Sequence, residues 1–276
     1  MIDESTDNEP VVNPHDAYVE SVFRQTDVAR GFFLGYLAPE VSALFDWQTL
    51  QLKSANFVTD ELGRQYADLL FSVRLRGSTI DRRVRLLFEH KFDVRYKTPR
   101  QVHGYISRQF EDTPLEEPLP PIITVMLLQS GTWRRSAEFA AEYDLPAETL
   151  ETLKPYLVNF RLEIVSLEAL EQNEIVGEPE GRFALALLKS IGARQPTTLA
   201  EYEEILDEVF HEEPERLRRI LARGSNYLAS TTSSKQFGEI RRTLRELPKR
   251  FKLLEKNMIT VRHFASHLAS QNLVAP

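Results

Sequence analysis

The chain has 276 residues, of which 42% are hydrophobic and 27% are charged, and its formal net charge is −7. This composition is typical of a soluble globular protein with a buried core, and it excludes a disordered chain. The absence of cysteine excludes disulfides, thiolate catalysis and cysteine metal sites.

The apolar segments are too short for a membrane protein. The longest of them, residues 121–128, falls well below the roughly 20 residues of a membrane-spanning helix. Residues 1–11 carry four acidic side chains and lack the apolar segment of a secretory signal, so we predict a flexible acidic tail. We therefore expect a cytoplasmic protein that makes no contact with membranes.

Positive charge is concentrated in two stretches of the sequence. Residues 82–108 contain eight Lys and Arg against two acidic residues, and residues 216–262 contain thirteen against three. Affinity for nucleic acid comes from Lys and Arg, so any contact with a polyanion is expected at these stretches despite the negative net charge. The default for the second stretch is the polar face of amphipathic helices, and DNA contact is the alternative.

Helical and strand patterns alternate over the first 130 residues. Asn13-Pro14 is a typical helix start, and an apolar helical face continues to about Ala38-Pro39. The turn residues 76–79 indicate that the strands on either side of them are antiparallel. The predicted strands are 50–58, 66–76, 83–91 and 122–128, and a helix is predicted over 98–110.

The C-terminal half becomes wholly helical. A loosely helical segment over 136–156 precedes a strand around 159–166, and the pattern from Gly181 onward is that of helices alone. The polar segment 171–181 predicts a boundary between a domain at 12–175 and a helical region at 181–276, although a surface loop would give the same pattern. The helix candidates are 185–188, 199–210, 214–228 and 237–268.

Three residues form a constellation suited to cutting phosphodiesters. Glu89 and Lys91 point to the same side of their strand, because side chains alternate with a period of two, and Asp68 lies on the polar side of the strand before it. Hydrolysis of a phosphodiester requires a hard cation held by oxygen ligands. Two carboxylates and the backbone carbonyl of His90 can supply these oxygens, and Lys91 can orient the attacking water and offset negative charge.

Several segments resemble successive signatures of the recombination-promoting nuclease/putative transposase family, a bacterial branch of the PD-(D/E)XK nucleases. The resemblance covers roughly residues 12–170 and departs from the family at Gln129-Ser130-Gly131, where members often show a tyrosine-glycine pair. The matching segments are Pro14–Ala17 with Phe23, Asp27–Phe33, Tyr66–Phe71, Leu87–Lys91, Pro121–Leu128 with Gly131–Trp133, and Asn159–Leu170.

The resemblance implies an α/β fold with a restriction-endonuclease-like core, in which a mixed central sheet is flanked by helices and followed by an α-helical C-terminal region. It also implies a metal-dependent endonuclease that cuts DNA in recombination or in mobile elements. Asp68 and Glu89 would bind Mg²⁺, with Mn²⁺ as a substitute, and Lys91 would be the catalytic lysine. Glu20 on the first helix and Gln101 on the helix after the motif are secondary candidates.

Two other functions are compatible with the same sequence. The first is a catalytically inactive module of the nuclease fold that binds nucleic acid, DNA or RNA, or a protein through its basic helices. The second is an interaction protein whose C-terminal helices form a homo-oligomer.

Four further side chains are predicted to have structural roles. His15 and His90 are expected to form structural hydrogen bonds, His90 supplying mainly its backbone carbonyl to the site. Trp47 and Trp133 are expected to be packing anchors rather than surfaces on which bases stack.

Overall fold

The computed structural model describes residues 13–54, 69–78, 82–192, 199–210 and 213–231. Asp68, the acidic tail at residues 1–11 and the helix predicted over 237–268 lie outside these ranges. Within them, no helix combines the length and the apolar composition needed to cross a membrane.

A mixed five-stranded sheet forms the centre of the protein, and its strands lie side by side in chain order. The first three strands pair antiparallel, whereas the third, fourth and fifth pair parallel. The third strand is therefore central and has an antiparallel neighbour on one side and a parallel neighbour on the other. The strands are β1 (Phe45–Ser54), β2 (Leu69–Leu75), β3 (Arg83–Lys91), β4 (Ile122–Leu128) and β5 (Leu162–Ser166).

The strand predictions agree closely with the structure. β3 and β4 have the predicted bounds, and the turn before β3 contains Gly77 with φ of 71°, a backbone conformation that glycine adopts without strain. β1 begins at Phe45, five residues before the predicted start. The alternation predicted for β2 is confirmed, because Leu69 and Phe71 enter one hydrophobic cluster and Leu70 enters another.

Eight α-helices are present in the described residues. The helical pattern that starts at Pro14 forms two helices rather than one, because Gln25 adopts an extended conformation and donates its side-chain amide to the carbonyl of Val22, at 3.1 Å. The helices are α1 (Pro14–Phe23), α2 (Thr26–Tyr36), α3 (Pro39–Ser42), α4 (Thr98–Glu111), α5 (Ala147–Leu153), α6 (Pro179–Gly192), α7 (Leu199–Phe210) and α8 (Pro214–Thr231).

The two faces of the sheet are covered by different helices. On one face Phe88 of β3 packs against Phe23 and Phe32 of the first two helices, with ring centroids 5.0 Å away in both cases. On the other face Leu87 packs with Val102 and Tyr105 of α4. Successive residues of β3 therefore enter different environments, and odd-numbered positions face α4.

The C-terminal helices share the core of the sheet. Most residues of α6 are buried, and the cluster that contains the sheet residues extends through α6 into α7 and α8. Gly192 approaches the chain after β4 so closely that a Cβ atom there would lie 2.6 Å from the carbonyl oxygen of Gln129. The α/β class with a mixed sheet, flanking helices and a helical C-terminal region is confirmed, and its last helices are positioned next to the end of β4.

Candidate active site at the end of the central strand

Glu89 occupies the end of β3 on the face that α4 covers. Its side chain is 0% exposed, and neither carboxylate oxygen accepts a hydrogen bond from the described residues. A buried ionised carboxylate without compensation costs several kcal/mol, of order 3–5 kcal/mol when a partner is removed. Glu89 therefore requires a cation.

Lys91 supplies one such cation. Its ammonium group forms an ion pair with Oε1 of Glu89, and it is partly accessible to solvent. The contact is an ion pair and not a hydrogen bond, because the ammonium group of Lys91 and Oε1 of Glu89 do not have the relative orientation of a hydrogen bond. The prediction that Glu89 and Lys91 lie on the same face of β3 is confirmed by this contact, whereas their roles in catalysis stay a prediction.

Asp68, the third residue of the predicted constellation, lies outside the described residues. Its chain neighbour Leu69 is the first residue of β2 and pairs with Phe88, the residue directly before Glu89. β2 therefore begins beside the end of β3 that carries Glu89.

His90 points to the opposite face of the sheet and is held there by two acceptors. Its Nδ1 lies 2.7 Å from Oδ1 of Asp16 on α1, and its Nε2 lies 3.2 Å from Oε1 of Gln129. Gln129 in turn donates its amide to the carbonyl of Leu188, at 3.1 Å, which assigns the orientation of that amide. Each ring nitrogen of His90 therefore lies within hydrogen-bonding distance of a side-chain oxygen.

The hydrogen-bonded chain continues to α8. Gln129 donates to the hydroxyl of Tyr227 over 3.3 Å, and Tyr227 lies 2.6 Å from Nδ1 of His15 on α1. Burial raises the pKa of Tyr227 above its ordinary value, so its hydroxyl stays protonated. The hydroxyl accepts a hydrogen bond from Gln129 and donates one to Nδ1 of His15. The predicted structural hydrogen bonds of His15 and His90 are confirmed, and α8 is tied to the strand that carries Glu89.

The two titratable groups of α1 in this network have lowered pKa values. The pKa of His15 falls from 6.5 to about 4, because burial disfavours the charged ring and the charge of His90 adds to that effect. Burial alone would raise the pKa of Asp16, but the hydrogen bond and charge of His90, with the charge of Lys91, bring it below its ordinary value. A neutral His15 and an ionised Asp16 match the donors and acceptors of the network.

Sequence reasoning did not identify Asp16, Gln129 and Tyr227. Asp16 belongs to the Pro14–Ala17 signature, so its position in the family pattern was the available signal. Gln129 is the residue at which the chain departs from that pattern, and here it is fully buried and connects the sheet with α6 and α8. Tyr227 had no signal, because its partners are about 100 and 200 residues away in the chain.

The secondary candidates have ordinary partners in the structure. Glu20 forms an ion pair with Arg24, one turn later on α1, at 3.2 Å. Gln101 donates its amide to the hydroxyl of Tyr105 on the same helix, at 2.8 Å. Tyr105 packs with Leu87 on the face that carries Glu89, so α4 covers the candidate site, and the roles of Glu20 and Gln101 in that site stay a prediction.

The tryptophans differ from each other. Trp47 is buried, and its ring nitrogen donates to the carbonyl of Ser42 at 3.0 Å, which confirms its role as a packing anchor. Trp133 is only half-buried and packs near Tyr96, which is exposed. The prediction of a packing anchor does not describe Trp133.

Three of the four arginines in the described part of the second basic stretch pair with acidic residues of the protein. Arg216 is 16% exposed and lies within 4.0 Å of carboxylate oxygens on Asp27, Glu178, Glu180 and Glu213. Other arginines of α8 also pair with acidic residues: Arg218 with Glu215, and Arg223 with the buried Glu180. These paired arginines stabilise the packing of α8 and are not positioned as a DNA-binding surface.

Comparisons with known proteins identify the family to which the chain belongs. A family model described as "Putative transposase, YhgA-like" matches residues 13–217. The match covers most of the chain, including the whole described sheet, and the chain belongs to this family. No solved structure matches it.

Curated relatives from Escherichia coli match over shorter stretches. Recombination-promoting nuclease RpnA of strain K12 is 43% identical over 61 residues, which are 22% of this chain and 21% of the relative. Recombination-promoting nuclease RpnD of O157:H7 is 29% identical over 117 residues, 41% of this chain and 44% of the relative. The chain therefore spans less than half the length of either nuclease.

A third relative, the "Putative inactive recombination-promoting nuclease-like protein YjiP" of strain K12, is 33% identical over 78 residues. The match covers 28% of this chain and 74% of that relative. The relatives thus include proteins named as nucleases and one named as inactive.

Proposed function

We propose that this protein is a metal-dependent endonuclease that hydrolyses DNA phosphodiesters at a site formed by Asp68, Glu89 and Lys91, and that it acts in recombination or on mobile elements. The observation that carries the proposal is the buried carboxylate of Glu89, which is paired with Lys91 and accepts no hydrogen bond from the described residues. The names of the relatives RpnA and RpnD supply the reaction class.

The fold supports the proposal through the arrangement of β2, β3 and β4. β2 and β3 pair antiparallel, and the chain then crosses through α4 to β4, which pairs parallel with β3. The end of β3 therefore lies between the helices that cover the two faces of the sheet. We propose that this arrangement is a restriction-endonuclease-like core. Ligands of open α/β sheets bind at the carboxyl ends of parallel strands, which is where Glu89 and Lys91 lie.

The donor set fits a hard divalent cation. A carboxylate with both oxygens unsatisfied is the kind of ligand that Mg²⁺ takes, with a second carboxylate and a backbone carbonyl to complete an oxygen set. Asp68, Glu89 and the carbonyl of His90 would hold the ion. No group of three acidic, His or Cys side chains that could bind a metal occurs among the described residues, so the set depends on Asp68 and on the carbonyl.

When bound, Mg²⁺ would polarise the phosphate and lower the pKa of an attacking water. The protein's own part is to hold charge in fixed positions. The ion pair places the ammonium group of Lys91 beside the buried carboxylate of Glu89, and that ammonium group can hold the attacking water and offset the charge that develops on the phosphate. The side chain of His90 is held by Asp16 and Gln129, and it thereby fixes the backbone between Glu89 and Lys91.

The proposal is tested by incubating plasmid DNA with the purified chain and Mg²⁺ or Mn²⁺. We expect Lys91→Ala and Asp68→Ala to lower the cleavage rate by about 100-fold or more, the usual scale for losing a group that acts in proton transfer. Lys154→Ala is the matched control, because Lys154 is exposed and pairs only loosely with Glu151, at 3.5 Å. A wild type that cuts neither DNA nor RNA, or variants that cut as well as it does, would refute the proposal.

Metal binding is measured separately by calorimetric titration with Mn²⁺. Glu89→Gln should abolish the binding, because the amide keeps the shape of the side chain but removes its charge. The relative named as inactive makes an inactive nuclease-fold module the second candidate. That candidate is favoured if no binding depends on Asp68 or Glu89 while DNA still binds in a salt-sensitive way.

A further inference from the structure

An exposed aromatic and basic surface lies beside the candidate site. It consists of Tyr96, Trp133 and Arg135, and we call it the Tyr96–Trp133 surface. The rings of Tyr96 and Trp133 have centroids 6.0 Å apart and planes inclined by 57°, and the guanidinium carbon of Arg135 lies 4.1 Å from the centroid of the Tyr96 ring. The three side chains therefore form one contact group rather than isolated residues.

The connectivity of the sheet places this surface at the edge where Glu89 and Lys91 lie. Lys91 and Leu128 are paired in the parallel register of β3 and β4, and Tyr96 and Trp133 each follow five residues later. The two loops continue side by side, because the amides of Gln129 and Ser130 donate to the carbonyls of Lys91 and Phe92 at 2.8 and 2.9 Å. Five residues reach at most about 18 Å, so Tyr96 is within that distance of Lys91.

The surface is also on the correct face of the sheet. Tyr96 lies two residues before the start of α4, the helix that covers the face from which Glu89 and Lys91 project. Arg100 on the first turn of α4 forms an ion pair with Glu142 at 2.9 Å, and Glu142 also lies 3.7 Å from Arg135. One partly buried carboxylate thus orients two arginines beside the aromatic rings.

The aromatic rings are fixed but accessible. Tyr96 is 46% exposed, and Trp133 is half-buried with its ring nitrogen donating to the carbonyl of Ser136 at 3.3 Å. Single exposed aromatics are ordinary on protein surfaces, but a cluster of them beside a polar site indicates a binding surface.

The charge at this edge is the opposite of the charge of the whole protein. The loops contribute exposed Arg95, Lys97 and Arg134 in addition to Arg100 and Arg135, against Asp93, Glu138, Glu142 and Glu168, which leaves an excess of one positive charge. The chain as a whole carries −7. A local excess of cations next to accessible aromatic rings complements a polyanion that carries flat rings, which is the chemistry of an unpaired nucleic-acid strand.

We propose that the Tyr96–Trp133 surface holds an unpaired segment of DNA, one base stacking on Trp133, so that the adjoining phosphodiester is delivered to Glu89 and Lys91. The last clause rests on the proposed function, but the binding itself does not. Base stacking on aromatic side chains tolerates any sequence, because every base has a flat face. In duplex DNA the bases are already stacked on each other, so the surface would favour single-stranded or locally opened DNA.

The test measures binding by the intact chain in EDTA, where no metal-dependent cleavage occurs. Two fluorescein-labelled DNAs are compared, a single strand of about 12 nucleotides, within the usual site sizes, and a blunt duplex of the same sequence. We expect Trp133→Ala to weaken binding of the single strand by about 10-fold, the scale of one lost stacking contact, and to change duplex binding by less than about 2-fold. Trp133→Phe should restore most of the affinity.

Two controls keep the result specific. Tyr156→Ala removes another aromatic ring, 83% exposed and outside the surface, and should change neither affinity. Quenching by the single strand of the red-shifted emission of the partly exposed Trp133, which is distinct from the emission of the buried Trp47, reports contact with the wild-type protein. The proposal therefore does not depend on how well one variant folds. Binding that is equal in wild type and Trp133→Ala without quenching, or an equal loss for both DNAs, would overturn the proposal.

The results separate this proposal from the proposed function. A chain that binds the single strand through Trp133 but cuts nothing with Mg²⁺ or Mn²⁺ supports the surface and refutes the nuclease. A chain that cuts DNA through Lys91 without any effect of Trp133 supports the nuclease and refutes the surface. If the chain binds neither DNA, the surface proposal is overturned, and a protein becomes the alternative partner of the Tyr96–Trp133 surface.

Discussion

The two basic stretches of this protein differ in what their charges do. In α8, Arg216 is enclosed by four carboxylates, and Arg223 pairs with the buried Glu180. At the edge of the sheet, Arg100 is 71% exposed and shares a single carboxylate, Glu142, with Arg135. The comparison shows that a count of Lys and Arg does not measure the charge available to a partner, because burial decides how much each charge has already been compensated.

The largest effect is expected from Arg216→Ala, which tests whether α8 uses its charge internally. The change leaves Glu180 with less compensation in a buried position, so we expect a loss of about 2–4 kcal/mol in the free energy of unfolding, measured by urea denaturation. Arg95→Ala is the control, because Arg95 is exposed and pairs with the exposed Asp93; its effect should stay below about 1 kcal/mol. Equal effects of the two substitutions would contradict the comparison.

Tyr227→Phe tests the connection between α8 and the central strand. The phenylalanine fits the same space but leaves the amide of Gln129 and the ring nitrogen of His15 without their partner, at a cost of about 1–3 kcal/mol in stability. Urea denaturation again gives the value. The control is Tyr143→Phe, where the hydroxyl makes a long bond of 3.4 Å to Val158 at the surface, and a similar loss there would argue against a special role for Tyr227.

The pH dependence of stability tests the same network. The pKa of His15 is about 4 in the folded protein and 6.5 when unperturbed, so the unfolded chain binds more protons between those values. Stability should therefore fall as the pH is lowered from about 6.5 to 4 and be fully present above 6.5. The shift corresponds to about 3 kcal/mol at most, and because His15 is only partly buried we expect about 1–2 kcal/mol.

The substitution His15→Gln should flatten the dependence of stability on pH between about 4 and 6.5, because the glutamine side chain does not titrate. Asp16, whose pKa is also lowered, contributes a further loss only at more acidic pH. A profile measured by thermal denaturation that keeps its slope in the His15→Gln protein would show that another group causes it.

The smallest effect on stability is expected at the edge of the sheet. Replacing Lys97 and Arg134 with Gln should change the free energy of unfolding by less than about 0.5 kcal/mol, because both side chains are exposed. The same change should lower the slope of log K against log salt for DNA binding by about 1 for each phosphate contact that is lost. Arg219→Gln, at an exposed position of α8, is the matched control and should leave the slope unchanged.

The sequence was informative where the chain forms regular alternating strands. The bounds of β3 and the shared face of Glu89 and Lys91 followed from the alternation of side chains along a strand, and the bounds of β4 followed from a continuous apolar segment. Both patterns depend only on neighbours within the strand. The break between α1 and α2 was missed, because the apolar face continues across it and the extended conformation of Gln25 is a local exception.

The sequence by itself determined the α/β class, the family resemblance and the strand face that carries Glu89 and Lys91. Only the tertiary structure showed that Asp16, Gln129 and Tyr227 form the hydrogen-bonded network around His90. It also showed that acidic residues of the protein pair with Arg216 and Arg223 of α8, and that Tyr96 and Trp133 meet at the surface. The physical reason is the range of the interactions. Periodicity records contacts within one element, whereas hydrogen bonds and ion pairs between residues up to 212 positions apart depend on how the helices pack on the sheet.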